Sequence, residues 1–224
     1  MCIICVSKKG VRQPTLNELK KCFEHNSDGA GIMVYNEILK KVEISKGFMK
    51  WEDFKNYVTR CNFTKDDIVV YHFRIGTQGN KVPELTHPYP LTSKLENCKA
   101  LDCVCKVGIA HNGIITLTSD GNSDYNDTML FITKYLSKLI KNRNEYLDKD
   151  IQSLIKELTN SKFAMINNRG EVVTIGDFIN EDGLLFSNNS YKSYDYRYYH
   201  KNYNNNCNYY KNYNYFSWKK GWNK

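Results

Sequence analysis

Met1-Cys2-Ile3-Ile4-Cys5-Val6 stands at the head of the sequence. Residues 2–6 carry no charge, and three of the five are β-branched, so they read as a short buried strand. Working outward, Thr15-Leu16-Asn17-Glu18 opens a helix, with Thr15 as its cap and Leu16, Leu19 and Phe23 along one side. Ser27-Asp28-Gly29-Ala30-Gly31 is a turn feeding a strand over 32–35, which forms a hairpin across Asn36 and Glu37 with a strand over 41–46. Residues 51–61 have helical spacing at Trp51, Phe54, Tyr57 and Val58. A central strand over 67–73 ends in Arg74-Ile75-Gly76-Thr77, and a loop over 81–99 holds three of the four prolines.

Beyond it, residues 106–110 read as another buried strand. His111-Asn112-Gly113 follows as a tight turn into 114–117, because an Asn-Gly pair between apolar runs signals a hairpin. Helices are expected from Asp127 to about residue 142 and over 150–159, with Asp150 as the second cap. Strands follow over 163–167, 172–175 and 184–187. Helices interspersed with many antiparallel strands give an α+β class, with enough strands for two packed sheets.

The 224 residues carry 32 Lys+Arg against 24 Asp+Glu, and the charge is uneven. Residues 191–224 hold seven basic residues and one acid, so the body carries only about +2 of the +8. That segment also holds ten of the 17 tyrosines, eight asparagines and no apolar periodicity. The expected organisation is one domain over 1–190 and a basic, low-complexity, disordered tail over 191–224. Tyr, Asn and Lys together could stack on and neutralise a single-stranded nucleic acid, although a solvated terminus is the simpler reading. No uncharged apolar run reaches about 18 residues, and no signal-peptide core follows Val6. The expectation is a cytoplasmic protein without membrane association. Cys2 and Cys5 have half-site spacing, yet no second C-x-x-C and no paired histidines follow, so no metal is expected. Most of the eight cysteines read as small buried apolar residues.

Removal of Met1, expected ahead of a side chain as small as cysteine, makes Cys2 the N-terminal residue. Cys2 then carries a thiol and a free α-amine, whose ordinary pKa of about 7.7–8.0 suits it as the thiol's own base. Several other motifs lie at strand ends or turns, where sites are built. They are Ser27-Asp28-Gly29-Ala30-Gly31, His72-Phe73-Arg74 with Thr77 and Gly79, His87-Pro88, Ala110-His111-Asn112-Gly113-Ile114-Ile115, and Asn126-Asp127-Thr128.

In order and spacing this set resembles the class II glutamine amidotransferases of the N-terminal nucleophile hydrolase superfamily, over about residues 2–140. The resemblance implies a four-layer αββα sandwich, two antiparallel sheets between helical layers, with no cofactor. It implies that Cys2 attacks a glutamine side-chain amide, and that the Asn112 side chain and Gly113 N–H form the oxyanion hole. It further implies that Arg74 holds the α-carboxylate and Asp127 the α-ammonium, with Thr77 and His87 helping to bind substrate. Asp124 competes for the ammonium; Asp127 is preferred because Asp127-Thr128 directly precedes the apolar helix. His72, His87 and His111 read as structural or loop-orienting groups rather than acids or bases.

Ile3 stands where the family commonly has glycine, and His25-Asn26 replaces its usual basic residue. Too few residues follow the Asp127 helix for a second, ammonia-consuming domain, so an acceptor enzyme would act in trans. Glutamine is the expected substrate, with another small amide, such as a γ-glutamyl compound, as the variant. The non-enzymatic alternative is an inactive fold that binds nucleic acid or a partner through its basic tail.

Overall fold

The structure is a computed structural model that describes residues 1–76, 80–118, 124–141 and 145–192. The chain is α+β, built on two antiparallel sheets. The larger contains β1 (Ile3–Ser7), β2 (Ala30–Asn36), β3 (Lys41–Phe48), β4 (Val69–Phe73), β6 (Asp102–Cys105), β10 (Ile179–Glu181) and β11 (Leu184–Phe186), in the order β10-β11-β1-β4-β2-β3-β6. The smaller has the order β5-β7-β8-β9, with β5 (Tyr89–Pro90), β7 (Val107–Asn112), β8 (Lys162–Asn167) and β9 (Val172–Ile175). The expected tail segment lies outside the described residues beyond Lys192. Tyr191, where that tail was expected to begin, is buried and stacks on Phe186 at 4.4 Å.

β1 is sequestered on both faces, and its residues alternate between two cores. Ile3 and Cys5 join Leu19, Phe23 and Phe54 from α1 (Leu16–His25) and α2 (Trp51–Cys61). Ile4 and Val6 join Met33 and Val70 of the larger sheet and Ala110, Ala164 and Ile166 of the smaller. A period-2 strand between two apolar layers requires this alternation, and a slip of one residue would exchange the two sets. A third cluster joins Ile109 and Phe163 of the smaller sheet to Met129, Phe131 and Ile155. These come from α3 (Asp127–Phe131), which continues through a π-helical turn, Ile132–Leu136, and from α4 (Lys149–Thr159).

Local chemistry fixes the ends. Thr15 accepts from the Glu18 N–H while Glu18 returns to the Thr15 N–H, the capping box the sequence suggests. Asp148, not Asp150, caps α4, because its Oδ1 accepts from the Asp150 N–H. The expected hairpin at Asn112-Gly113 does not form. A two-residue type I′ turn needs positive φ at both residues, whereas Asn112 completes β7 and Gly113 alone, at φ +153°, turns the chain. The following segment runs into a 3₁₀ turn, Thr116–Thr118, with the Ile115 N–H bound to Asp127. Strands β6 and β10 carry no clear apolar alternation and were not expected, and the 81–99 loop includes the edge strand β5.

Candidate active site

Strand pairing brings the site together. Antiparallel pairing of Ile3 with Phe73 sets Cys2, just before β1, opposite Arg74, just after β4. On the other side of β4, the Arg74 N–H donates to the Gly29 carbonyl and the Asp28 N–H to the Arg74 carbonyl. The Ser27–Gly31 turn is therefore stitched along Arg74. Asp28 then accepts from the Gly76 N–H at 2.9 Å and pairs with Lys81 at 2.7 Å. Partial burial pushes its carboxyl up, but Lys81 and the Gly76 N–H outweigh that and hold it below the ordinary value.

Cys2, Arg74, Ile75, Gly76, His87, His111, Gly113, Asn126, Asp127 and Thr128 line one cleft. Five of the seven expected site residues, Cys2, Arg74, His87, Gly113 and Asp127, meet there. Thr77 lies outside the described residues. Asn112 is buried beside the cleft rather than lining it, with Nδ2 donating to Ser187 Oγ at 2.9 Å. Asp124 is exposed and does not line the cleft, so geometry favours Asp127 between the two aspartates.

The Cys2 thiol points toward the Ile75 carbonyl at 3.7 Å. Burial pushes its pKa up, only partly offset by the Ile75 hydrogen bond, the N-terminal ammonium and Arg74. The thiol is thus protonated at neutral pH and needs a base before it can act as a nucleophile. The preceding Met1 carbonyl accepts from Asn26 Nδ2 at 2.8 Å, and the Cys2 carbonyl accepts from Asn188 Nδ2 at 2.7 Å.

Arg74 is buried, and its Nη1 donates to the Asn80 carbonyl at 3.0 Å. Asp127 is the first residue of α3, where the helix dipole favours a negative charge. Its Oδ2 accepts from the Ile115 N–H at 2.6 Å and its Oδ1 from the Thr128 N–H at 2.8 Å. Burial nevertheless raises its pKa. A carboxylate offers about four lone-pair positions, so it retains capacity for an ammonium.

Three of the histidines, His72, His87 and His111, form a buried group. His72 stacks on His87 at 4.3 Å and donates through Nε2 to the His111 carbonyl, joining the two sheets. His87 Nε2 and His111 Nδ1 both meet Thr128 Oγ1, at 3.1 and 2.8 Å. Burial pulls His72 and His111 down to about 3, and His87 is lowered as well. All three are neutral at physiological pH.

Two glycines are sterically required. A side chain at Gly31 would strike the His87 carbonyl, and one at Gly113 would strike Ser161 Oγ. Close behind Gly31 lies Lys46, a buried amine donating to the Glu84 and Cys98 carbonyls at 2.9 and 2.6 Å, with Tyr89 beneath it at 4.0 Å. The sequence offers no signal for Lys46 beyond its place in a strand, and none for Ser187 or Asn188. Thr128 belongs to a quoted motif, but its contacts with two histidines depend on the fold.

The cleft encloses only about 20 Å³, room for roughly one water molecule. An amino acid therefore enters only with movement of the lining side chains. A larger cavity of about 550 Å³, at the far end of β2 and β3, is lined by residues including Tyr35, Asp67 and Arg169 and contains no cysteine or histidine. Its chemistry does not match that of a nucleophilic site. Among the described residues, no group of three or more metal-binding side chains converges, and no helix is long and apolar enough to cross a membrane. No protein-family model matches the chain, and no curated protein matches it.

Proposed function

We propose that the protein is an amidohydrolase of the class II glutamine amidotransferase type, acting on glutamine or a closely similar amino-acid amide. One observation carries the reading: Cys2, Arg74, Gly113 and Asp127 line a single cleft although they are distant in sequence. Three apolar clusters, one between the sheets and one against each helical group, support the finer reading of a four-layer αββα sandwich.

In this mechanism Cys2 is N-terminal and its α-amine takes the thiol proton. The sulfur attacks the amide carbon, forming a C–S bond and a tetrahedral oxyanion held by the Gly113 N–H and the Asn112 amide. Each such donor is worth about 2.7–4 kcal/mol. Collapse returns the proton to the leaving nitrogen, releases ammonia and leaves a thioester. Water then adds to the thioester, and its breakdown gives glutamate and the free thiol. Arg74 and Asp127 hold the α-carboxylate and α-ammonium. The ammonia is either released or passed to an acceptor enzyme in trans.

The test joins a glutaminase assay to mass spectrometry of the N-terminus. The expected result is glutamate formation by chains starting at Cys2, with a glutamine-analogue electrophile modifying Cys2 alone and losing that target in Cys2→Ala. Chains that retain Met1 and still hydrolyse glutamine would defeat the proposed base.

A further inference from the structure

We infer that Ser187 is a positioning residue that sets which end of the Asn112 amide is presented to the reacting carbonyl; the inference rests on the amidohydrolase reading above. Ser187 follows β11 and is 1% exposed. Its Oγ accepts from the Ile4 N–H at 2.9 Å and lies 2.9 Å from Asn112 Nδ2. With both neighbours donating, the hydroxyl proton has no acceptor among the described residues. At the same time Asn112 Oδ1 is buried without a partner among the described residues. Two unmet groups on adjacent side chains are costly in a dry interior.

Turning the Asn112 amide by half a revolution satisfies Ser187 and Oδ1 and leaves only the amide's donor unmet. Ser187 Oγ–H then donates to Oδ1 while still accepting from Ile4. Nδ2 takes the position that Oδ1 had, where its N–H finds no acceptor among the described residues. Asn112 directly precedes Gly113 of the cleft lining, so once the lining moves to admit substrate an oxyanion forming there becomes such an acceptor, and a donor held ready in this way is the arrangement that stabilises developing charge. The next residue completes the device, because Asn188 Nδ2 holds the Cys2 carbonyl at 2.7 Å. Consecutive residues at the end of β11 thus hold the nucleophile's backbone and the amide that would face its product.

The experiment uses the full chain with Met1 removed and compares wild type, Ser187→Ala, Ser187→Cys, Asn112→Ala and the Ser187→Ala/Asn112→Ala double variant. Ser187→Ala should lower kcat for glutamine by about 10–100-fold with KM changed less than about threefold. Ser187→Cys keeps the volume with a weak donor, so it should fall between, and it serves if the alanine variant does not fold. In the Asn112→Ala background, Ser187→Ala should change kcat by less than about threefold, because its partner is already gone. Additive losses, or wild-type kcat in both Ser187 variants, would overturn the inference while leaving the amidohydrolase reading standing. Iodoacetamide alkylation of Cys2 needs no oxyanion hole. A wild-type chain that is alkylated at Cys2 but hydrolyses no glutamine would defeat the enzymatic reading, and the Ser187 inference with it.

Discussion

Replacing Lys46 with methionine keeps most of the side chain's length and removes a buried charge. Burial pulls the Lys46 amine down to about 7 from its ordinary 10.5. Between those values the unfolded chain holds a proton that the folded chain sheds, so stability rises with pH across the window. Linkage with these two values puts the cost of Lys46 at about 4 kcal/mol near pH 7, falling by about 1.6 kcal/mol near pH 8.5. The two carbonyls that lose their donor offset part of this penalty, so the test is the slope: the stability of Lys46→Met relative to wild type should fall by about 1.6 kcal/mol between pH 7 and 8.5. Urea unfolding at the two pH values measures it, read as a shift in midpoint at unchanged m. The comparison belongs below pH 9. Burial raises Cys98 and Cys105 to about 12, and their contribution to stability is lost as pH rises above the ordinary thiol value of 9.0. Parallel stability curves would refute the reasoning, and would mean that the Glu84 and Cys98 carbonyls and the Tyr89 ring hold the proton in place. The variant also loses the bonds anchoring the chain on either side of His87, so its KM should rise.

Gly113→Ala should abolish turnover and lower the melting temperature, because φ +153° and contact with Ser161 both exclude a side chain; circular dichroism and the glutaminase assay report the two effects. The kcat/KM profile of the Met1-free enzyme should rise through about pH 7.7–8.0 as the α-amine of Cys2 becomes a free base, and a variant extended by one residue before Cys2 should be inactive at every pH. Thr15→Ala removes a capping box and should cost about 0.5–2 kcal/mol in urea unfolding without changing activity, since α1 packs away from the cleft.

Much of this fold could be read from local pattern, because its strongest elements obey local rules. The helix over 51–61 has bounds set by apolar spacing and an Asn62 end in the left-handed conformation. Strands β1, β4 and β9 are short β-branched runs and β8 a short apolar one, and such runs alone placed them close to their ends. The failures have particular causes. Asn112-Gly113 carries hairpin chemistry, but the competing bond from Ile115 to Asp127, twelve residues on, diverts the chain. Asp150 and Asp148 are equally good caps by type, and only the backbone path selects Asp148. Residues that touch the cleft inside quoted motifs, such as Cys2, Arg74, Gly113 and Asp127, were legible. Ser187, Asn188 and Lys46 act through pairings 38 to 186 residues away, for which a single sequence holds no signal; Lys46 reaches Glu84 and Cys98, and Asn188 reaches Cys2.

On the proposed reading, the charges of the cleft bear on which amide it would take. Because His72, His87 and His111 are held neutral by burial, the ionic character of the lining comes from Arg74 and Asp127. A free amino acid carries one charge of each sign and matches both. An amide lacking the α-ammonium, such as glutaramate, pairs with Arg74 but gives Asp127 no cation, and N-acetylglutamine does the same while adding bulk to a cleft of about 20 Å³. A hydrogen bond to a charged group is worth about 1.5–3 kcal/mol, so kcat/KM for glutaramate should fall about 10–150-fold below that for glutamine. Asp127→Asn should then lower activity on glutamine while narrowing the gap between the two substrates, since the neutral amide no longer rewards the ammonium. Equal kcat/KM for glutamine and glutaramate in the wild type would show that Asp127 serves only to hold Ile115 and the start of α3, and the amino-acid specificity argued from the pair would fall.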